Sequence, residues 1–345
     1  MSSLISSHCR RTLRALSWWA LLPFVTLATP RNAAAQNPDL TLSQEERDSI
    51  LKDYHNIFPF LGRKAIERGF DLPKPVGLNV LGLYMNQGIE ITDLGLSTGA
   101  NPIAPIDFIG FGTNTSTVYS ANLRLDLWVL PFLNVYGFGG RAQANTKVEV
   151  STPIAFTSEV DQPGNYAGVG LTGAMGLKRN FIAADINWSW SDFEKLDEPV
   201  FGRVFSARFG RTIKLGGPKR ASFWVGTMNQ KFRSETNGSI LLSEAIPPEV
   251  VNKIRNALQN VQNQPWYMNL TPPQKALVDQ IVNALLSSNP GNTTINYQLK
   301  KDPADPWNML VGGNIDLNKR WTIRAEVGFI GRTSVLLNAV YRLDL

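Results

Sequence analysis

Cysteine and histidine are almost missing: the 345 residues hold one Cys and two His. That scarcity removes most metal-site and nucleophile chemistry from consideration. Charge is sparse as well, at 18% of residues, but 43% hydrophobic content is too high for a disordered chain. Long apolar runs are also lacking. The stretch from Ala15 to Thr29 falls short of the ~20 residues that a membrane-spanning helix needs. Arg10, Arg11 and Arg14 precede it, and Pro30 and the small residues Ala33-Ala34-Ala35 follow it. This is the layout of a secretory signal peptide over residues 1–35, with cleavage expected before Gln36. Its removal takes away four Arg and no acidic residue, leaving 30 basic against 28 acidic groups and a net charge of +2. A nucleic-acid partner thereby loses its main support. Cys9 and His8 leave with the same piece, so the exported chain has no disulfide and a single histidine, His55.

Residues 36–75 read as an arm or small plug on the periplasmic side. Ser43 and Glu46 have capping-box spacing, and Ile50, Leu51, Tyr54 and Ile57 follow at helical intervals, predicting one short amphipathic helix. Pro59, Gly62, Pro73 and Pro75 then break the chain into a linker.

From Val76 the period changes to two. Tyr119, Ala121, Leu123, Leu125, Leu127 and Val129 alternate with Ser120, Asn122, Arg124, Asp126 and Trp128. The same alternation recurs through Ile182 to Ser191, Phe205 to Ile213 and Trp321 to Phe329. These runs are about ten residues or longer, against ~5 to 6 for an ordinary globular strand. Length decides the class: ~9 to 11 tilted residues with one apolar and one polar face cross a bilayer, and lipid forces such a sheet to close on itself. The expectation is an all-β fold, a closed antiparallel transmembrane β-barrel over 76–345. Tight turns near 130–132, 178–180, 216–220 and 318–320 alternate with longer loops near 98–116, 151–164, 193–199 and 235–305. This predicts about ten strands, with eight or twelve as alternatives. Trp128, Trp188, Trp190, Trp307 and Trp321 fall near strand ends, where interfacial girdles place such rings.

The last eleven residues, Val335 to Leu345, have apolar side chains at alternate positions, with Tyr341, Leu343 and Leu345 in one register. This segment resembles the C-terminal insertion signal of bacterial outer-membrane β-barrel proteins. The resemblance implies an outer-membrane location, passage through the periplasm, insertion by the barrel assembly machinery and a surrounding shell of outer-membrane lipid. Barrel hydrolases of that membrane rely on a histidine in the barrel or its outer loops. Here His55 lies on the arm, so the chain is expected not to be an enzyme, and no cofactor or metal is implied.

Seven charged residues share inward parity: Arg124, Asp126, Asp185, Arg208, Asp316, Arg324 and Glu326. Paired carboxylates can hydrolyse glycosides, but the three arginines are available to neutralise these acids. Two readings of the set remain open, a salt-bridged filled lumen and a narrow channel or transporter for a small polar solute. Inward residues in the strands starting at Val76, Phe132 and Ala221 are not assignable from parity. The insert at 235–305 carries two amphipathic stretches, Ile246 to Val261 and Leu277 to Leu286, predicting a helical external loop. It could be a self-packed hairpin, a gate or a binding surface for a partner, and the last is the alternative function. Gly168, Gly170, Gly173 and Gly176 suggest close packing within a strand rather than a phosphate loop. Oligomeric state is open.

Overall fold

The computed structural model describes residues 42–99, 101–177, 179–246, 248–258, 261–286 and 293–344. The segment 1–35, expected from the sequence to be a signal peptide, and Leu345 lie outside the described residues. Ten long strands form a closed antiparallel ring. They are β1 (Val76–Thr98), β4 (Asn114–Leu130), β5 (Leu133–Thr152), β6 (Phe156–Leu177), β7 (Asn180–Phe193), β8 (Val200–Gly216), β9 (Lys219–Phe232), β12 (Trp307–Asp316), β13 (Trp321–Phe329) and β14 (Arg332–Leu343). Each pairs with the next of these ten, and β1 closes the ring by pairing β14 from Val76↔Leu343 to Gln87↔Arg332. Closure leaves no strand edge to lipid, which the absence of water in a bilayer requires.

Alternation along the strands becomes a physical inside and outside. Leu123, Leu125, Val169, Phe209, Phe223, Val225, Ile323 and Leu337 are all exposed on the outer surface. An apolar belt of this kind is stable only against lipid. Tyr341 and Leu343 fall on the same outward register of β14, and Trp321 packs on Tyr341 with ring centroids 4.9 Å apart. Trp190, Trp307 and Trp321 are exposed at strand ends, whereas Trp128 points inward and lines the interior. Trp128 shares parity with Arg124 and Asp126, and parity outranks position near a strand end.

Short turns join the strands at one end, which in such barrels faces the periplasm. The turn from β8 to β9 uses Gly216 and Gly217, both at positive φ. At the opposite end the expected loop at 151–164 proves to be mostly strand. β5 and β6 run on to Thr152 and from Phe156, so a paired ribbon stands above the barrel. Polar composition suggested a loop there, but backbone pairing continues beyond lipid, where polar side chains are welcome on both faces.

The insert begins with β10 (Glu235–Leu241) and ends with β11 (Thr294–Pro303). These two strands pair with each other, and β11 pairs with the upper half of β1, Ile89 to Thr98. Between them lie α3 (Leu242–Ala245), α4 (Pro248–Leu258), α5 (Pro265–Met268) and α6 (Pro272–Leu286). Leu242, Ile246, Ile254, Val261, Tyr267, Val278, Val282, Leu285 and Ile295 form one apolar core. Both predicted amphipathic stretches contribute to this core, and Leu277 packs instead against Ala104 and Ile106 of the neighbouring loop. The two-residue strands β2 (Ala104–Pro105) and β3 (Gly110–Phe111) lie in the loop beneath it. Gln274 donates to the Pro105 carbonyl and to Asp107, both at 2.9 Å, fastening α6 to that loop.

At the short-turn end, α1 (Gln44–Lys52) starts at the expected capping box, with Ser43 Oγ accepting from the Glu46 amide. It stops at Lys52, so Tyr54, His55 and Ile57 follow in irregular chain. The expected linker contains a second helix, α2 (Gly62–Glu67), whose Ala65 and Ile66 are buried. Proline spacing hid it, because six residues are too few to show a helical period. The segment is fastened to the barrel by Asp71, which pairs with both Arg220 and Lys319, and by Lys74 with Asp344.

Candidate functional site

Strand pairing brings most of the seven inward charges into one layer. β8 delivers Arg208 and β13 delivers Arg324 and Glu326, and the pairing of both strands' neighbours sets them at a common height. Glu326 is almost fully buried. Arg208 grips it bidentately, Nε to Oε2 at 2.7 Å and Nη2 to Oε1 at 2.8 Å. Arg324 Nη2 donates to the same carboxylate at 2.9 Å and Trp224 Nε1 at 2.6 Å. The Arg324 guanidinium also lies 4.8 Å from the Trp224 ring centroid. One carboxylate thus holds two guanidiniums and an indole, the shared-acceptor geometry in which charge-assisted bonds are strong.

Beside this triad, Asp185 on β7 accepts from Tyr136 OH at 2.9 Å and from Thr172 Oγ1 at 2.6 Å. Arg124 stacks on the Tyr136 ring at 3.4 Å. It makes no ion pair among the described residues, and its Nε is buried without a hydrogen-bond partner. Gly170 makes room for this arrangement, because a Cβ there would collide with the Tyr136 ring. Asp126 is buried lower in the barrel, where Asn79 and Asn134 each donate to it at 2.7 Å and Arg342 pairs with it at 3.2 Å. Asp316 stands apart near the short turns, accepting from Thr322 at 2.7 Å and Asn314 at 3.1 Å.

The layer divides the interior in two. Below it a cavity of about 940 Å³ opens toward the short-turn end, lined by Asp126, Asp316, Lys214, Arg220 and the arm residues Glu46 and Asp71. Above it a cavity of about 400 Å³ has an apolar wall that includes Leu83, Met85, Phe138, Val204, Leu310 and Leu336. Arg124, Asp185, Arg208, Arg324 and Asn338 line both. These five side chains stand between the two cavities.

Parity singled out seven charges and said nothing of what surrounds them. Tyr136, Trp224 and Asn79 sit on β5, β9 and β1, the strands in which parity was ambiguous. The inward faces of these strands mix apolar residues such as Leu83, Phe138 and Met228 with polar ones such as Gln87, Thr146 and Gln230, which blurs the two-period contrast. Arg332 and Lys301 were also missed. Arg332 begins β14 and is nearly fully buried, while Lys301 belongs to β11, inside the stretch read as loop. Among the described residues no cluster of three or more His, Cys, Asp and Glu could hold a metal ion. His55 is exposed, on the arm.

No protein-family model matches the chain. Nor does any curated protein sequence. Solved structures show a loose likeness. The β domain of the Bordetella autotransporter BrkA is 8% identical with a TM-score of 0.37, covering 77% of this chain and 100% of that one. The outer membrane protein OprG from Pseudomonas aeruginosa is 10% identical with a TM-score of 0.37, covering 79% and 100%. The translocator domain of autotransporter NalP from Neisseria meningitidis is 10% identical with a TM-score of 0.32, covering 89% and 100%. At such scores none of their activities transfers to this chain. Its own architecture, a closed ten-strand antiparallel ring with an apolar belt and an ionic interior, makes it an integral β-barrel of the outer-membrane type.

Proposed function

We propose that the protein is a non-enzymatic passage for small polar solutes across the outer membrane, closed at mid-height by the charged partition. The observation that carries this reading is that five side chains line both cavities, so a shift of a single layer connects them. A barrel filled only for stability would be packed through several layers. The partition is built from ion pairs and hydrogen bonds, whose partners can exchange with water or a solute. Residues 42–75 form an arm at the periplasmic mouth, and the excess of arginine in the layer favours anions. Among the described residues most apolar side chains of the insert's helices are covered, by the insert's own core and by the loop that carries Ala104 and Ile106, while Met268 and Leu286 stay exposed, which weakens the binding-surface alternative.

Planar-bilayer conductance of the refolded protein tests this. The wild type is expected to show small, mostly closed currents, with Glu326→Gln opening more often and Arg124→Glu moving selectivity from anions toward cations. Silence in the wild type, in both variants and in a protein lacking residues 235–305, with all of them folded by heat-modifiable gel migration, overturns the passage and leaves a structural barrel.

A further inference from the structure

The upper cavity has a composition that the closed passage does not require. Part of its wall is apolar, with Leu83, Met85, Phe138, Leu310 and Leu336, and six basic side chains line it against three acidic ones: Arg124, Arg208, Arg233, Lys301, Arg324 and Arg332 against Asp185, Asp302 and Glu326. The acids are already engaged. Glu326 is taken by Arg208 and Arg324, Asp185 by Tyr136 and Thr172, and Asp302 accepts from Ser234 at 2.9 Å. Arg233 pairs outward with Glu198 at 2.5 Å.

Three cations remain without a carboxylate among the described residues: Arg124, Lys301 and Arg332. Arg332 is nearly fully buried and touches only neutral oxygens, Asn308 Oδ1 at 2.8 Å and Gln87 Oε1 at 3.4 Å. Burial pushes the Lys301 ammonium down from the ordinary lysine value. Buried charges without a counter-charge are costly, and proteins normally pair them. An apolar wall with uncompensated cations at its rim matches one ligand chemistry, a hydrocarbon chain carrying an anionic head.

We propose that the upper cavity is a binding site for a small amphipathic anion, an alkyl carboxylate of medium chain length. Its chain lies against Leu83, Met85, Phe138, Leu310 and Leu336, and its carboxylate is held by Lys301 and Arg332. The volume of about 400 Å³ is within the ~300 to 1,000 Å³ of small-molecule sites. This goes beyond the passage reading and does not depend on it, since binding needs only the chamber above the partition. A neutral alcohol of the same length would fill the wall equally well but leave both cations unpaired, which sets the expected selectivity.

The test is equilibrium binding of radiolabelled decanoate to the full barrel in nanodiscs of zwitterionic lipid, with decanol and decyltrimethylammonium as competitors. The expected result is saturable binding of one decanoate per barrel, competed by unlabelled decanoate and at least about tenfold less well by the other two. Loss of a charge-assisted bond predicts that Lys301→Gln weakens binding by about tenfold to a hundredfold. Lys301 lies on β11, outside the ten-strand ring, so this variant keeps the barrel. Leu83→Trp should abolish binding by filling the chamber. Equal competition by decanol, absence of saturable binding in folded wild type, or unchanged affinity in Lys301→Gln overturns the proposal. Conductance is read separately, so a silent barrel that binds decanoate sinks the passage alone.

Discussion

Neutralising Glu326 is the sharpest probe of the partition. The carboxylate receives four hydrogen bonds, two from Arg208 and one each from Arg324 and Trp224, at 2.6 to 2.9 Å. Glu326→Gln keeps the volume but leaves two guanidiniums facing each other in the barrel interior. Breaking a buried ion pair by removing one partner costs about 3 to 5 kcal/mol, mostly as the penalty of the charge left behind. The interior borders open cavities, so the lower end of that range, about 3 kcal/mol, is expected here. Replacing all three charges, as Arg208→Met, Glu326→Met and Arg324→Met together, should recover most of the loss, because no buried charge is then stranded. Reversible urea unfolding into zwitterionic vesicles, followed by tryptophan fluorescence, measures both variants. A loss below about 1 kcal/mol for Glu326→Gln would refute the reasoning, since that is the worth of a solvent-exposed pair. A triple variant as unstable as the single one would refute it from the other side.

Leu125→Arg, on the exposed outer face of β4, should cost about 2 to 4 kcal/mol in vesicles if that face meets the middle of the lipid; no change would argue for water there. Gly170→Ala should push the Tyr136 ring off Asp185 and lower stability by about 1 to 3 kcal/mol, seen as a lower temperature of gel-mobility conversion. Glu46 is held below the ordinary glutamate value, first by the Ser43 backbone amide and then by the Ser43 side chain. A depressed folded value means the cap is intact above the unfolded value and weakens as pH falls through the lowered one. Amide exchange in α1 should therefore accelerate, relative to the barrel, only in acid. Glu46→Gln should remove that pH dependence, whereas Ser43→Ala, which keeps the backbone amide bonded to the carboxylate, should only reduce it.

The barrel was legible because its outer face repeats one instruction. Leu123, Leu125 and Leu127 on β4, or Ile182, Ala184, Ile186 and Trp188 on β7, alternate with mostly polar partners over lengths that only a membrane requires. The ten-strand count followed from turn chemistry such as Leu130-Pro131-Phe132 and Gly216-Gly217. The interior was legible only where it is polar. Leu83 and Met85 on β1, and Phe138 on β5, face inward but look like outward residues, because a period of two names two faces without saying which is which. Lys301 escaped for another reason: its strand pairs with β1 outside the lipid, where composition carries no alternation. Arg124 and Arg208 were placed by parity, but the division of their surroundings into two chambers depends on contacts between strands remote in sequence.

The pairing of β11 with the upper half of β1 also constrains the order of assembly. β1 carries two edges' worth of obligation at one side: its lower half waits for β14, the last strand of the chain, and its upper half waits for β11, about two hundred residues downstream. Pairings so distant in sequence form slowly, since loop closure must precede any gain from contact. During synthesis and export the first strand is therefore left open along one side until nearly the whole chain has been delivered. Anything that held that edge would have to give way to the hairpin β10–β11 above and to β14 below. The barrel then seals at a single seam in two strokes, and a chain truncated before residue 294 should retain an open first strand and persist as a substrate for envelope proteases.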